Sequence, residues 1–442
     1  MAQEKRPLFE FNRYRVGSMI AGGILIIFSF LTDKIGFSSP GSFSWGQFLV
    51  LLFGFILLTI GLLGRRFTTY YKGVTLVIVN TIILFLLLEL AAWFILSLRD
   101  APSKPAENPR TLLPYYAAQD WGKAYWQEFD TKLKHHYSPW VIWRPDPFSG
   151  TYMKIDQDGM RVTPGAECDP GAYTIFFFGG STAFGDGSPD WGTIPAYLQA
   201  SLASIKKRPV CTKNFGAVGY VSTQEMIELI TQIQKGNVPD LVIFYDGIND
   251  IYSAYQSGQA CVHSDLSIIA SEYNNGNIQP MEQVATWLRD SFTYQLLQRL
   301  VHKYILKSPL KLTTYQTMGV DPKNLASAIA KCYLANYDLV DTLAGRYGFE
   351  YAFFWQPVIY VGNKPLTSDE QTMFGNDSAM DELFVNTYPI IEQATPNHKN
   401  LHYIADVFDQ QTELIWNDGM HVTPVGNQLI AQAMLHTLSV KP

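Results

Sequence analysis

Ser181, Asp418 and His421 carry the side chains of a nucleophile, an acid and a base. Ser181 follows the apolar run Tyr173 to Phe178 and the pair Gly179–Gly180, which predicts a serine at a tight turn beyond a buried strand. A hydroxyl exposed at such a turn is typical of a nucleophile. Asp418 and His421 are three residues apart, so the carboxylate can orient the imidazole beside the serine.

Two further turns could supply hydrogen-bond donors to the same site. Asn214 to Tyr220 includes Gly219, whose backbone N–H is free of side-chain hindrance, and Tyr245 to Asp250 includes Asn249. The amide of Asn249 could donate to a developing oxyanion. A phosphate-binding loop is the competing interpretation of Gly-Gly-Ser, but no Lys follows it as such a loop requires.

These segments stand at the ends of predicted strands that alternate with helices. The predicted strands are Tyr173–Phe178, Thr212–Phe215, Leu241–Tyr245, Tyr351–Trp355 and His402–Ile404. The predicted helices are Trp191–Ile205, Ser222–Gln234, Asn324–Tyr347 and Val425–Leu438. Ser222 and Glu225 match a capping box at the start of the second helix. The alternation predicts a parallel sheet covered on both faces, with function at the carboxyl ends of its strands.

In this order the motifs resemble the SGNH hydrolase superfamily, also called GDSL-like esterases, from about Tyr173 to the C-terminus. The four matching blocks are Gly179–Thr182, Gly216–Gly219, Gly247–Asp250 and Asp418–His421. The resemblance implies a three-layer α/β/α flavodoxin-like sandwich and no metal or organic cofactor.

The resemblance also implies a role for each matching residue. Ser181 is the nucleophile, and Gly219 and Asn249 join the Ser181 amide in the oxyanion hole. His421 is the base and Asp418 supports it. One departure is Gly180, which stands where the name-giving motif has Asp; it weakens any inference from the lipase-like members and leaves the nucleophile in place.

The N-terminal region contains three apolar runs, about Val16–Leu31, Phe48–Leu63 and Val74–Leu98, which predict three transmembrane helices. A buried hairpin of a soluble protein is the alternative. Basic residues flank the first run on its N-terminal side and lie between the second and third runs, so we expect a cytoplasmic N-terminus. With three crossings, the chain after Leu98 would be periplasmic or extracellular, and the protein integral to a bacterial inner or plasma membrane.

The predicted domains are a membrane anchor (1–100), a linker with a membrane-proximal extension (101–170), and a hydrolase-like domain (171–442) with a helical insertion at about 252–320. The amphipathic stretch Met281 to Leu306 in that insertion could be a lid, a membrane-contacting helix, or a helix packed on the sandwich. Glu89 could contact another helix or line a polar path, or could be neutral near the interface. Trp140 and Trp143 could lie near the lipid headgroups or pack on the body.

The net charge and the cysteine spacings limit which partners and metal sites are expected. The formal net charge is -6, and the acidic excess falls after residue 100, so nucleic acid is not an expected partner. The spacings of the four cysteines match no zinc pattern. They could pair in three ways in an oxidising compartment or remain free thiols: Cys168, Cys211, Cys261 and Cys332.

The sequence therefore predicts a membrane-anchored extracytoplasmic serine esterase that acts through an acyl-serine. Its expected substrate is an acylated carbohydrate of the cell envelope or an exported polysaccharide, from which it removes, or onto which it transfers, acetyl or another small acyl group. A lysophospholipase or thioesterase acting on lipids, or a silent scaffold of a polysaccharide export system, are alternatives. Trp355 and Gln356 would line the substrate cleft, or form a strand-terminating turn with a core tryptophan. The bilayer is the other expected partner, and no protein partner is predicted.

Overall fold

The computed structural model describes residues 8–31, 45–63, 68–99, 108–275, 291–301, 314–373 and 377–438. The chain divides into two compact units. The first comprises residues 1–103 and 275–309, and the second comprises residues 104–274 and 310–442. Of the amphipathic stretch Met281–Leu306, only residues 291–301 are described, and these fall in the first unit.

The described helices and strands follow one another along the chain. The helices are α1 Leu8–Leu31, α2 Trp45–Leu63, α3 Thr68–Arg99, α4 Pro114–Ala117, α5 Gly122–Lys132, α6 Ser181–Phe184, α7 Ile194–Ile205, α8 Ser222–Gln234, α9 Ile248–Ser257, α10 Leu266–Asn275, α11 Phe292–Val301, α12 Pro322–Tyr347, α13 Ser368–Gln371, α14 Ser378–Ala394 and α15 Pro424–Leu438. The strands are β1 His135–Ser138, β2 Ile142–Pro145, β3 Phe148–Ser149, β4 Lys154–Ile155, β5 Tyr173–Gly179, β6 Val210–Asn214, β7 Leu241–Asp246, β8 Glu350–Trp355 and β9 Leu401–Tyr403.

Glycines bring helices α1 and α2 of the first unit close together. A Cβ atom on Gly22 would lie 2.7 Å from the carbonyl oxygen of Gly54, and one on Gly61 would lie 2.6 Å from the Met19 side chain. Small residues that let helix backbones approach in this way are typical of apolar helix pairs. The Gln47 amide also donates to the Ser29 carbonyl at 3.1 Å.

The Glu89 side chain of α3 caps the N-terminus of α11. Its two carboxylate oxygens accept hydrogen bonds from the backbone N–H groups of Phe292 at 2.9 Å and Thr293 at 3.0 Å. These N–H groups have no partner within their own helix, and a carboxylate there also complements the helix dipole. Of the two interpretations of Glu89, the contact with another helix is the one observed.

Within the residues that the structure describes, no helix has both the length and the apolar character needed to cross a membrane. The three transmembrane helices predicted from the sequence are therefore not supported.

The second unit is built on a five-stranded sheet with the strand order β6-β5-β7-β8-β9, and all four pairings are parallel. This is the flavodoxin-like order: the chain goes from β5 to β6 on one side, and then crosses to β7 on the other side of β5 and continues outward. The reversal point therefore lies between β5 and β7. The predicted parallel α/β sheet is confirmed, and each of its strands was predicted to within a few residues.

Helices cover both faces of this sheet and make the predicted third layer. Alternate residues of β5 point to opposite faces, so Ile175 and Phe177 pack with α7 and α15, and Phe176 and Phe178 pack with the other layer. That other layer consists of α8, α9, α12 and α14. Because both faces are buried, the central strands are almost wholly apolar, which made them recognisable in the sequence.

The predicted capping box at the start of α8 is wrong. The residue that precedes the helix is Val221, and the Gln224 side chain accepts a hydrogen bond from its N–H at 3.3 Å. The Ser222 hydroxyl donates to Asp250 at 2.6 Å, and Glu225 is fully buried. Because Ser222 binds a residue distant in sequence and Glu225 is buried, neither side chain caps the helix.

Residues 108–164, predicted as a linker and extension, are part of the second unit. Tyr116, Tyr125 and Trp126 form a small buried cluster of their own. Arg161 bridges Asn214 at the end of the edge strand β6. The segment is thus folded onto the sheet, at the edge that continues into the predicted site.

Arg161 is a buried charged residue of this segment, with 1% of the residue exposed. Its guanidinium donates to Asp190 at 2.8 Å and to the carbonyl oxygens of Gly185 at 2.8 Å and Ser188 at 2.6 Å. A buried charge is tolerated when it is paired and its donors are used. Arg161 therefore fixes the loop between α6 and α7.

Two disulfides connect the four cysteines of the second unit. Cys168 pairs with Cys211, and Cys261 pairs with Cys332. Of the three pairings that the sequence allowed, the structure selects this one.

We expect Arg161→Met to destabilise the second unit by about 3 to 5 kcal/mol, because the variant leaves the Asp190 carboxylate and several carbonyls without their donor. Urea unfolding of the full chain in detergent, followed by tryptophan fluorescence, measures the difference. The matched control is Arg208→Met, which removes an exposed ion pair with Asp240 and should cost at most about 1 kcal/mol. Equal effects of the two variants would contradict this account of Arg161.

Candidate active site

The predicted nucleophile lies at the carboxyl end of β5, beside the reversal point of the sheet. Strand β5 ends at Gly179, and Ser181 is the first residue of α6. Gly179 has φ +150°, and a Cβ there would lie 2.5 Å from the Tyr245 carbonyl oxygen, so the turn requires glycine. A Cβ on Gly180 would collide with the Asn249 side-chain nitrogen. The glycine that replaces the motif's Asp thus makes room for the Asn249 amide.

The structure brings Ser181, His421 and Asp418 together. The Ser181 Oγ lies 2.7 Å from Nε2 of His421, although the two residues are 240 positions apart. On the other side of the ring, Nδ1 of His421 lies 2.8 Å from Oδ2 of Asp418. With the hydrogen of the neutral ring on Nδ1, the carboxylate accepts from the imidazole and Nε2 accepts from the serine hydroxyl. This is the geometry of a nucleophile with an oriented general base.

The charges around the imidazole shift its pKa upward. Burial alone disfavours the imidazolium, but Asp418 and Asp186 outweigh it, and the pKa of His421 is raised to about 9. The same contact lowers the pKa of Asp418 well below its usual range, against the cost of desolvation, with help from Arg110. His421 and Asp418 thus form an imidazolium–carboxylate pair in the resting protein near neutral pH.

Gly219 and Asn249, the other predicted donors, lie at the ends of the neighbouring strands. Asn249 is in the first turn of α9, directly after β7, and its amide nitrogen sits over Gly180. The Tyr220 carbonyl oxygen would be 3.3 Å from a Cβ on Gly180, so the turn that contains Gly219 passes beside the same residue. Gly219 has φ +79°, a conformation that favours glycine. The structure therefore places both residues next to the nucleophile turn.

The start of α9 is anchored from behind. Asp250 accepts a hydrogen bond from the Ser222 hydroxyl at 2.6 Å, and Asn336 of α12 donates to the same hydroxyl at 2.9 Å. Gly247 has φ +124°, and a Cβ there would lie 3.0 Å from the Trp355 indole. These contacts fix the backbone from which Asn249 projects.

Three buried carboxylates lie beneath this helix start: Glu225, Asp246 and Asp250. No hydrogen-bond donor contacts either oxygen of Glu225 or of Asp246 among the described residues. Burial raises the pKa of Asp246 to about 8 and that of Asp250 to about 6, and it raises the pKa of Glu225 as well. Burial therefore favours the protonated, neutral form of Glu225 and of Asp246 at neutral pH.

The turn that carries Asp418 and His421 is held by a buried carboxylate. Glu370 is 0% exposed, and its Oε1 accepts from the backbone N–H groups of Ile415 at 2.9 Å and Trp416 at 3.0 Å. Lys364 donates to the other oxygen at 2.6 Å. On the opposite side, the Asn417 amide donates to the Tyr116 hydroxyl at 3.0 Å.

Two residues of the site were missed in the sequence. Arg110 donates to Asp186 at 3.1 Å and lies 3.4 Å from Asp418, and Asp186 is 3.8 Å from Nε2 of His421. Arg110 lies in a proline-containing segment read as a spacer, and Asp186 lies in the loop between two predicted elements. Neither carries a local signal, because their contacts join segments that are far apart along the chain.

Trp355 and Gln356, predicted to line a substrate cleft, do not do so. Trp355 is 0% exposed and packs against Tyr333 and Tyr388, and Gln356 is 2% exposed. The Gln356 side chain accepts a hydrogen bond from Thr182, the residue after the nucleophile, at 2.7 Å. The alternative, a strand-terminating turn with a core tryptophan, is the one observed.

Trp143 packs on the body, as one of its two interpretations had it. Its indole N–H donates to the Val218 carbonyl at 2.8 Å, and a Cβ on Gly219 would lie 3.3 Å from its ring. Trp140 is 77% exposed. Trp143 thus forms a wall beside the predicted oxyanion donor.

Among the described residues, no group of three or more His, Cys, Asp or Glu side chains is placed to hold a metal ion.

No protein-family model matches the chain, and no curated protein matches its sequence. Solved structures similar to it include the acetyl xylan esterase AlAXEase, with 13% identity, 60% of this chain and 99% of that chain covered, and a TM-score of 0.35. The lipase Lip_vut3 from a goat rumen metagenome has 12% identity, covers 60% and 97%, and gives a TM-score of 0.35. A member of the lipolytic protein G-D-S-L family from Veillonella parvula has 14% identity, covers 60% and 98%, and gives a TM-score of 0.31. At these TM-scores the likenesses carry no weight for the activity of this chain.

The buried acids predict an unusual pH dependence of stability. The raised pKa of Asp246 means that the folded protein retains a proton that the unfolded chain loses, so the free energy of unfolding falls as the pH rises from about 4 to about 8. We expect Asp246→Asn to remove part of that fall, by about 1 kcal/mol or more between about pH 5 and pH 8. Urea unfolding at several pH values measures it.

Asp158→Asn is the matched control, since it makes the same change of charge at an exposed loop residue. Parallel stability–pH curves for the wild type and Asp246→Asn would show that Asp246 is ionised in the folded protein.

Proposed function

We propose that the chain is a serine esterase of the SGNH type. The observation that carries this proposal is the contact of Ser181, His421 and Asp418 at the carboxyl edge of a parallel sheet with flavodoxin-like strand order, with distances of 2.7 and 2.8 Å. The order of strands and the placement of Asn249 and Gly219 beside the nucleophile turn support the same assignment.

The reaction begins when His421 in its neutral form takes the proton of the Ser181 hydroxyl. The serine oxygen forms a bond to the ester carbonyl carbon, and the carbonyl oxygen becomes an oxyanion. Asn249 Nδ2 and the backbone N–H groups of Gly219 and Ser181 donate to it, and one such donor is typically worth about 2.7 to 4 kcal/mol. Asp418 stabilises the imidazolium through Nδ1.

Collapse of the tetrahedral intermediate breaks the bond to the leaving alcohol, which receives the proton from His421 Nε2. An acyl-serine remains. His421, neutral again, takes a proton from a second nucleophile, whose oxygen forms a bond to the acyl carbon. The bond between that carbon and Ser181 Oγ breaks, and His421 returns the proton to Oγ. Water gives hydrolysis, and a sugar hydroxyl gives acyl transfer; both outcomes use the same residues.

For the substrate we propose an acylated carbohydrate that carries acetyl or another small acyl group. The Trp143 indole lies against Gly219, which narrows the space beside the predicted oxyanion hole and favours a small acyl group. Trp121 and Trp191 contact each other at 5.7 Å, and Trp191, just ahead of α7, is half exposed. We propose that this exposed aromatic pair offers a face for a sugar ring.

We also propose that the first unit contacts a lipid bilayer, with the N-terminus cytoplasmic and the second unit periplasmic or extracellular. Large apolar side chains stand exposed along α1, α2 and α3, among them Ile24, Phe55 and Leu86. Exposed apolar surface of this extent is typical of a site that contacts a protein or a membrane. Basic residues in the intervening sequence suit anionic headgroups, and the two disulfides suit an oxidising compartment.

We expect the full chain to hydrolyse p-nitrophenyl acetate and to be labelled by a fluorophosphonate. Ser181→Ala should lose the labelling and lower kcat by a factor of at least about 10⁴. Asn249→Ala should keep the labelling site and lower kcat by about 10² to 10³, because it removes one oxyanion donor. A wild-type protein that neither reacts nor is labelled would favour the silent scaffold.

Acetate release from acetylated xylan, compared with hydrolysis of long-chain p-nitrophenyl esters, tests the substrate class. Faster turnover of the long-chain esters would overturn the carbohydrate proposal and favour a lipid-acting esterase. Addition of an acetyl acceptor such as a xylo-oligosaccharide then distinguishes transfer from hydrolysis.

We expect the expressed full chain to sediment with membranes and to enter the detergent phase on extraction. Replacing Leu86 and Leu87 by Lys should reduce that fraction, because charged side chains are costly in an apolar phase. Leu339→Lys is the matched control, since Leu339 is equally exposed in the second unit. Recovery of the wild type in the soluble fraction without detergent would contradict lipid contact.

A further inference from the structure

Two carboxylates, not one, flank the imidazole of His421. Asp418 contacts Nδ1 at 2.8 Å, which leaves Asp186 on the other side, with its Oδ2 3.8 Å from Nε2. Nε2 is the nitrogen that faces the Ser181 hydroxyl. A second carboxylate therefore lies near the ring nitrogen that faces the nucleophile, close enough for an electrostatic interaction but beyond hydrogen-bond distance.

Several contacts fix the position of Asp186. Only 9% of its side chain is exposed, and its Oδ1 accepts from Arg110 at 3.1 Å. Arg161 donates to the carbonyl of Gly185, and the Tyr125 hydroxyl accepts from the Gly187 N–H at 3.0 Å. The residues on either side of Asp186 are thus held by buried side chains, so its carboxylate is directed at His421 by the fold.

We propose that Asp186 is a positioning residue for the base: its carboxylate stabilises the protonated imidazole of His421 electrostatically from the Nε2 side, and Arg110 pairs with both Asp186 and Asp418. The proposal rests on the proposed esterase function of this site. No proton passes to Asp186. His421 receives the proton from Ser181 and gives it to the leaving oxygen, and Asp186 stabilises the charge in between.

The charged groups around the ring come from three places in the fold. Asp418 is on the same turn, Asp186 is on the loop after α6, and Arg110 is on the segment that precedes α4. Tyr116 and Tyr125 lie beside Asp186, and burial keeps both phenols neutral by raising their pKa values. Two carboxylates and one guanidinium therefore leave a net negative charge against the imidazole, which favours its protonated form.

This arrangement has a consequence for catalysis. The free base is scarce at neutral pH when the imidazolium is stabilised at both nitrogens, so activity should rise with pH until His421 is neutral. Asp186 thereby sets the pH range in which the triad works.

Asp186→Asn tests the proposal, because it keeps the shape of the side chain and an oxygen for Arg110 and removes the charge. We expect the midpoint of the rise of kcat/KM with pH, measured on p-nitrophenyl acetate, to move about 1 to 2 units toward acid. Glu413→Gln is the matched control: it removes one negative charge from an exposed residue five positions before Asp418 and should leave the midpoint unchanged.

A second measurement does not depend on turnover. The His421 imidazole can be titrated by NMR in the full chain with labelled histidine, in a Ser181→Ala background, with assignment by His421→Gln. Asp186→Asn should lower that midpoint by the same amount. A shift in NMR without esterase activity would overturn the proposed function alone. Activity with unchanged midpoints in both measurements would overturn the role of Asp186 alone, and would leave it only a structural part of its loop.

Discussion

The site depends on one contact, the 2.7 Å approach of Ser181 Oγ to His421 Nε2. A parallel sheet makes that contact possible, because every strand delivers its following turn to the same edge. Ser181 follows β5 directly, while His421 comes from the turn before α15, and α7 and α15 pack side by side on one face of the sheet. The helix layer therefore fixes the base as firmly as the sheet fixes the nucleophile.

Residues 108–164 show that the site is larger than its four motifs. Arg161 binds the loop after the nucleophile, Tyr116 binds the turn of the base, and Trp143 covers the predicted oxyanion glycine. Each contact spans dozens to hundreds of residues along the chain. A segment predicted as a linker and membrane-proximal extension thus contributes buried polar groups to the walls of the site. Its removal would leave those loops without partners.

The strands, the layers and the triad could be predicted because each has a local signature. Phe176 to Phe178 is apolar on both faces, and Asp418 and His421 share one turn. The capping box at Ser222 failed because the Ser222 hydroxyl donates to Asp250 and accepts from Asn336 instead, and contacts between distant segments leave no periodic pattern in the sequence. Gln356 failed for a similar reason: a strand end predicts the edge of the sheet but not whether a side chain there faces the core or the cleft. Arg110 and Asp186 were missed because they are 76 residues apart and come into contact only in the folded protein.

The buried acids of the second unit are stabilised in two different ways on either side of the nucleophile turn. Beneath Asn249, Glu225 and Asp246 have no cation nearby, so burial raises their pKa values and protonation removes the charge. Beside His421, the imidazole and Arg110 lower the pKa of Asp418, so its charge is retained, and Asp186 pairs with Arg110. Protonation of Glu225 and Asp246 removes negative charge beneath Asn249, whereas the charge kept on Asp418 favours the protonated form of His421.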